Sequence, residues 1–543
     1  MIFKQLSSLE KVFLEDDISN LKEKSKIKVL KGERFSYQIA FSGGEGQKTY
    51  MKYSLKSDLP CIVRRVENVP SSMPAYKDKA DEFYIKTEPG LYPDLLSPMA
   101  DNTFEVITNS SHALFVTVDV PKDVNAGTYD IEFVFSSEKE EYKKVFTVKV
   151  LDAVLPEQKT IYTQWFHADC IASYYNYEVF SEEHWAMIDK FMKKAAECGI
   201  NMLLTPVFTP PLDTDVGRER STTQLVDVSF IGGEYKFGFD KLKRWIDMCR
   251  KNGIERFEIS HLFSQWGTGC TPKIEAETEK GKEKIFGWHT KADSAEYRVF
   301  LKAFLPELTA FLKSEGVYDN TFFHVSDEPD VKCHFEIYKT EREMLDGLVP
   351  PEKIMDAISH TEFCECGLVR TPIAIVDAVD NFIEKGINNV WAYYCCGPSD
   401  GGYTNRFIAM PSGRNRVGGF LLYKYGINGF LHWGFNFYYS QLSRRKINPF
   451  MVTDADEAFP SGDCYAVYPG EDGPWDSLRG LVFYDALQDI RACELLAGYI
   501  GRDEVVRMIE ESGVTKFNEF PRENCEIDAI RDKINDRLDE VIG

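Results

Sequence analysis

Over roughly the first 155 residues, apolar and polar positions alternate with a period of two. The alternation is carried by runs at 35–41 (FSYQIAF), 61–66 (CIVRRV), 113–120 (ALFVTVDV), 129–135 (YDIEFVF) and 142–150 (YKKVFTVKV). Turn clusters such as 42–46 (SGGEG) separate them. Period two sends alternate side chains to opposite faces, so this spacing predicts an antiparallel β-sandwich over residues 1–155 with one face of each sheet buried. Leu155-Pro156 marks the exit, because proline cannot continue a central strand.

The pattern then becomes strand, helix, strand. Eight apolar runs are candidate strands: 161–166, 200–205, 255–260, 321–326, 353–359, 373–377, 389–394 and 428–433. Between them lie amphipathic stretches. One starts at Ser181, a good N-cap with Glu182 and Glu183 in the first turn, and runs to Cys198-Gly199. Others cover 239–251 and 294–314, each ending near a glycine. The fifth and sixth units have short or missing helices. Eight strands with interposed helices predict a (β/α)8 TIM-like barrel over 156–475, followed by a C-terminal helical segment, 476–543, packed on it. A doubly wound sheet is the alternative. The glycine clusters at 397–402 and 413–419 lack GxGxxG spacing and open no βαβ unit, which disfavours that alternative.

Composition narrows the function classes. Lys+Arg number 64 and Asp+Glu 86, a net charge of −22, which opposes nucleic-acid binding. No window approaches the ~18 apolar residues of a membrane span. The first twenty residues lack the basic start, apolar core and cleavage site of a secretory signal, so the expected compartment is the cytoplasm. The thirteen cysteines show no metal-type spacing and read as reduced thiols. No HExxH element appears, and neither a metal nor a cofactor is expected.

Barrels place reactive groups at the C-terminal ends of their strands. Those ends hold His167, His261, Asp327, Glu328, His360, Asp377, Tyr393, Tyr394, Trp433 and Asn436. The segment 322–330 (FFHVSDEPD) is the most informative: an apolar strand runs straight into two adjacent carboxylates before proline stops it. Carboxylates side by side repel and are costly to desolvate, so stability alone does not explain them. A helix start is the bland reading. The functional reading is glycoside hydrolysis. Neighbours on a strand face opposite ways, so both reach one sugar only if the backbone turns between them. That geometry fits substrate-assisted hydrolysis, in which a 2-acetamido oxygen attacks the anomeric carbon.

The run 323–329 (FHVSDEP) resembles the catalytic strand of glycoside hydrolase family 123, whose characterised members are β-N-acetylgalactosaminidases. The resemblance continues through 90–96 (GLYPDLL), Val120-Pro121, 127–129 and Leu155-Pro156, then 390–398 (VWAYYCCGP), Asn405, Arg416, 425–436 (YGINGFLHWGFN), 468–470 (YPG), Gly473 and 477–479 (SLR). It departs at 480–484 (GLVFY), where an acidic residue and a more polar helix usually follow, and at 462–464 (GDC). The resemblance implies Glu328 as general acid/base and Asp327 as the residue orienting the acetamido group. It implies Trp433 as a stacking floor, Tyr393, Tyr394 and Asn436 as hydroxyl ligands, and Tyr468 in a turn closing over the cleft. His167, His261 and His360 join the predicted substrate-binding set. An oligosaccharide or glycoconjugate is the implied partner. A glycosidase acting on a sugar without an acetamido group, using Asp377 as a second carboxylate, and a non-catalytic carbohydrate-binding protein are the competing readings.

Overall fold

Strands Ile2–Ser7, Arg34–Ser42, Ser111–Asp119, Cys61–Ser71 and Gly90–Pro98 lie side by side in one sheet. A second sheet, ordered Lys26–Lys31, Glu141–Val154, Gly127–Ser136, Thr49–Lys56 and Thr103–Val106, faces it. The structure is a computed structural model that describes residues 1–43, 48–267 and 269–543. Most of the turn expected at 42–46 lies outside these residues. Phe3, Tyr37, Phe41, Phe133, Phe135 and Phe146 fill the space between the sheets. Pairing is antiparallel, as the alternation predicts, except that Lys26–Lys31 runs parallel to Glu141–Val154. A parallel neighbour needs a long crossover, and more than a hundred residues separate these two strands.

One expectation changes. The larger sheet is buried on both faces, not one. Leu114, Val116 and Val118 face the sandwich core, whereas Ala113 and Phe115 pack with Val66, Leu96, Leu478 and Leu481. The second face is thus covered by the start of helix Leu478–Ile500. The same sheet also recruits the hairpin Val467–Gly470 and Gly473–Ser477, whose Asp476 and Ser477 pair with Leu96 and Leu95.

All eight candidate runs after 160 form parallel strands, seven of them shorter than the apolar run and the sixth, Thr371–Ile375, displaced by two residues from 373–377. Ile161–Gln164, Gly429–His432, Trp391–Tyr393, Thr371–Ile375 and Met355–Ile358 make one arc, and Met202–Thr205, Arg256–Ile259 and Thr321–Phe323 the other. A bridge between Phe323 and Ile354 joins the arcs on one side. The Asn201 N–H donates to the Tyr162 carbonyl (3.1 Å) on the other, leaving a nearly closed barrel. Gly429 has a steric reason: a Cβ there would fall 1.9 Å from the Trp391 ring that fills the interior. The helices also follow the sequence. Ser181 caps Glu182–Glu197 by accepting from His184 N, and Ser294 caps Ala295–Ser314 by accepting from Tyr297 N. After the fifth and sixth strands come only Glu362–Glu365 and Val379–Glu384. A four-stranded sheet, Glu234–Gly238, Asp227–Ile231, Ile274–Thr278 and Gly281–Phe286, was not anticipated. Its first hairpin turns through Gly232 and Gly233, both at positive φ. Among the described residues, no helix is long and apolar enough to cross a membrane.

Buried ion pairs tie these parts together. Arg479 donates to both Asp94 oxygens (2.8 and 2.9 Å) and Tyr468 donates its hydroxyl to Asp94 (2.6 Å). Arg416 binds Asp489 and Asp528, and Arg531 bridges Asp489 to Glu33. Removing one partner of a buried pair leaves an uncompensated charge and costs about 3–5 kcal/mol. Asp94→Ala should therefore lower unfolding stability by that order in a denaturant titration. A loss below ~1 kcal/mol would show that the sandwich and the segment 462–479 are held by packing alone.

Candidate active site

The fourth barrel strand, Thr321–Phe323, does not end its cross-links where its ladder ends. His324, Val325 and Asp327 present their carbonyls to the N–H groups of Leu262, Phe263 and Trp266 (3.1, 3.0 and 2.8 Å), and Ser326 donates its hydroxyl to the Ser264 carbonyl (2.6 Å). The backbone then turns: Glu328 sits at φ +42°, in the left-handed region. Extended chain would send Asp327 and Glu328 to opposite faces. The left-handed residue instead lets both line one cleft at the C-terminal mouth of the barrel, beside Trp165, Asp213, Trp266, Tyr393 and Trp433. Two further lining residues, Asp213 (φ +40°) and Trp266 (φ +51°), are also left-handed. Non-glycine residues held this way cost of order 1–3 kcal/mol each and persist only where the surroundings fix them.

Burial and mutual repulsion set the charge of the pair. Asp327 is held well above the usual carboxylate range by burial first and by the Glu328 charge second. Burial also raises Glu328, and the Tyr393 hydroxyl, donating to Glu328 Oε1 at 2.5 Å, opposes this. Two adjacent carboxyls of this kind titrate as one unit, in which ionising the first makes ionising the second harder. Asp213, raised by burial to about 6, is the third carboxyl in the cleft.

The other residues expected from the sequence divide clearly. Tyr393 and Trp433 line the cleft. Trp433 donates its indole N–H to Asp463 (2.9 Å) and packs edge-on against Phe437 and Phe459. Tyr394, one residue past Tyr393, faces outward and donates to Asn415 (2.7 Å) among Phe430 and Phe483. Asn436 spends its amide on the backbone of His167, accepting from its N–H (2.9 Å) and donating to its carbonyl (3.1 Å). His167 is buried, contacts the Trp433 carbonyl (3.0 Å) and accepts from Arg220 (3.1 Å). Burial and Arg220 push it down to about 3, so its ring is neutral. His261 is buried below the cleft, stacked on His324. His360 lies at the rim, 3.6 Å from Asp330. Tyr468 is not brought to the cleft, because its hydroxyl is committed to Asp94. Asp377 is exposed beyond the sixth strand and is not among the lining residues.

Sequence reasoning missed Trp165, Asp213, Trp266, Phe459 and Asp463. It also missed Tyr76, which bonds the Ala458 carbonyl (3.2 Å) and so brings the N-terminal segment to the loop carrying Phe459. Asp213 and Trp266 sit on loops outside any periodic pattern. A readable signal existed for His324 and Asp356, since each is an ionisable residue among apolar neighbours in a strand run, but not for Glu258, whose run also carries Glu255 and Arg256. His261, His324 and Asp356 also bring potential metal-ligating atoms within 4.8 Å of one another. They are poorly arranged for an ion. Both His324 nitrogens already face carboxylates, and the two imidazoles stack at 4.5 Å and 20°, so their lone pairs do not converge.

A model of the glycoside hydrolase 123 catalytic domain matches residues 165–496. The chain belongs to glycoside hydrolase family 123. Among solved structures it is similar to a family 123 glycoside hydrolase from Clostridium perfringens, with a TM-score of 0.75 at 14% identity over 100% of this chain and 97% of that one. A xyloglucanase of family 5 from Bacteroides ovatus gives a TM-score of only 0.29 at 8% identity, over 85% and 98% of the two chains. No curated protein matches in sequence. The chain is thus a glycosidase of family 123, and an oligosaccharide or glycoconjugate is its class of substrate.

The left-handed backbone at Glu328 makes a stability prediction. Glycine reaches φ +42° without a Cβ penalty, whereas glutamine retains it. Glu328→Gly should be more stable than Glu328→Gln by about 1 kcal/mol, despite losing the contact with Tyr393. A glycine variant that unfolds first would show that the turn carries no strain.

Proposed function

We propose that this family 123 enzyme is a retaining, exo-acting β-N-acetylhexosaminidase that uses the substrate's own acetamido group as nucleophile. The observation that carries the reading is the turn at Glu328, which puts two adjacent carboxyls on one cleft. Glu328 protonates the departing glycosidic oxygen while the acetamido oxygen attacks C1 from the opposite face. Asp327 accepts the acetamido N–H, holds the group in line and balances the positive charge of the oxazolinium. Glu328, now ionised, takes a proton from water, which opens the ring with net retention. The bond from Tyr393 favours the ionised Glu328 that the second step needs. Trp433, fixed by Asp463, is the stacking surface. The Clostridium perfringens relative is described in terms of glycolipid glycan hydrolysis. Together with the family resemblance, this favours a glycan ending in β-linked GalNAc. The cytoplasm remains our expected compartment.

A second reading has one observation behind it: Asp213 is a cleft carboxyl able to act as a protein nucleophile. Asp377 has no such position. Nitrophenyl glycosides of GalNAc, GlcNAc, galactose and glucose separate the two. The acetamido sugars should be hydrolysed, GalNAc fastest, and the others negligibly. Asp327→Asn should cost about 100-fold or more in kcat while the protein stays folded. Rapid galactoside turnover, with a 2-fluoro glycoside trapped on Asp213, would replace the first reading with the second.

The role of Glu328 has its own test. Glu328→Gln should depress turnover steeply for poor leaving groups and least for activated aryl glycosides, which need no protonation. Equal losses across a leaving-group series would remove it from the acid role.

A further inference from the structure

Directly beneath the cleft lies a polar layer that the reaction just outlined does not use. Glu258 on the third barrel strand, His324 beyond the fourth and Asp356 on the fifth are all fully buried. His324 Nε2 lies 2.9 Å from Glu258 Oε2, and Nδ1 lies 3.2 Å from Asp356 Oδ1.

The hydrogen-bond inventory fixes where the protons are. Asp356 Oδ1 also accepts the Val325 N–H (3.0 Å), and Glu258 Oε2 also accepts the Trp165 indole N–H (3.3 Å). Backbone and indole N–H groups can only donate. Both oxygens facing the ring are therefore acceptors, and a neutral imidazole would set a lone pair against one of them. With both flanking carboxyls ionised, both ring nitrogens donate, which makes His324 an imidazolium. The remaining oxygens are occupied as well: Tyr338 donates to Asp356 Oδ2 (2.6 Å) and Thr163 to Glu258 Oε1. Burial opposes a charged ring, but the bonds to Asp356 and Glu258 outweigh it and lift His324 to about 9. His261, stacked on this ring, is kept neutral by burial and by the neighbouring cation.

The position of this charge matters for the site above it. Glu328, Asp356 and Asp213 all oppose ionisation of Asp327, and His324 favours it. Glu341, on the helix that carries Tyr338, is buried, and that burial and Asp356 push its carboxyl well up toward the neutral form, which limits any further negative charge beside the layer. We propose that His324 is a positioning residue of the reaction: a protonated ring, clamped between Glu258 and Asp356, that fixes the end of the fourth strand and supplies a positive charge favouring ionisation of Asp327 against its burial and the Glu328 charge. The part concerning Asp327 rests on the substrate-assisted reading above; the charge state of His324 does not.

The test separates these two parts. In the full-length protein labelled with 15N-histidine and free of substrate, one imidazole should remain doubly protonated at pH 8 and titrate only near pH 9. If every ring is neutral at pH 8, the proposal falls, whichever sugar the enzyme hydrolyses. The second arm uses whichever glycoside is turned over. His324→Gln removes the cation, so Asp327 should hold its proton to higher pH. The acid limb of kcat/KM should then move up by about one pH unit or more, and kcat should fall about tenfold or more. A variant that loses activity with its acid limb unmoved would reduce His324 to a packing residue and overturn the role. If the glutamine variant does not fold, His324→Asn serves in the same comparison, and the nitrogen measurement on the wild type decides the charge state without any variant.

Discussion

The cleft depends on a contact made far from it, the buried fork between Asp94 and Arg479. Asp94 belongs to the N-terminal sheet and Arg479 to the first turn of the long helix that covers that sheet. With two nitrogens on Asp94, Arg479 gives a third to the carbonyls of Gly462 and Tyr465. Those carbonyls flank Asp463, whose side chain holds the Trp433 indole and faces His432 at 3.4 Å. His432 accepts the Gly434 N–H on Nδ1, which leaves its proton on Nε2, near Asp463 but not hydrogen-bonded to it. A glycine at 462 is required here, since a Cβ would meet Ile408 and the Arg479 guanidinium at 2.8 to 3.1 Å, on a backbone at φ +97°. The sandwich therefore sets the wall of a cleft to which it contributes none of the lining residues.

This explains a pattern in the sequence that no periodicity accounts for. The motifs 90–96, 468–470 and 477–479 are nearly four hundred residues apart at their extremes, yet Asp94, Tyr468 and Arg479 meet at one point. Read singly, a tyrosine in a Tyr-Pro-Gly turn looks like a lid over substrate. In place, its hydroxyl is consumed by the carboxylate that Arg479 also binds. A linear reading assigns such residues by type, but their roles are set by partners it cannot see.

What was legible follows from local physics. Eight strands announced themselves because a barrel strand buried on both faces is an apolar run, and Ser181 and Ser294 announced helices because an N-cap acts within three residues. The Asp327-Glu328 pair was visible because two adjacent carboxylates at a strand end have no structural excuse. Facing was not legible beyond one residue. Tyr393 and Tyr394 read alike, but strand alternation sends the first to Glu328 and the second out to Asn415. The Asp227–Gly238 hairpin was also missed, although its Gly232-Gly233 turn is a recognised signal, because it interrupts the strand-helix rhythm of the barrel.

The cleft and the layer below it resolve opposite problems. At the mouth, Asp213, Trp266 and Glu328 are all held in left-handed backbone, an arrangement that unassisted chain would abandon. Beneath it, Glu258, His324 and Asp356 are tied into one bonded unit that spans three strands, with Thr163 and Trp165 of the first strand segment and Tyr338 of a helix joining from the sides. A fully satisfied buried network is rigid, because any rotation leaves a charge unpaired at low dielectric. The strained turn begins four residues after His324, and the carbonyls between them are bonded in sequence to Leu262, Phe263 and Trp266. Rigidity below thus supports strain above. The turn at Glu328 brings two carboxyls onto one face, and the layer beneath supplies the fixed strand from which that turn can be made.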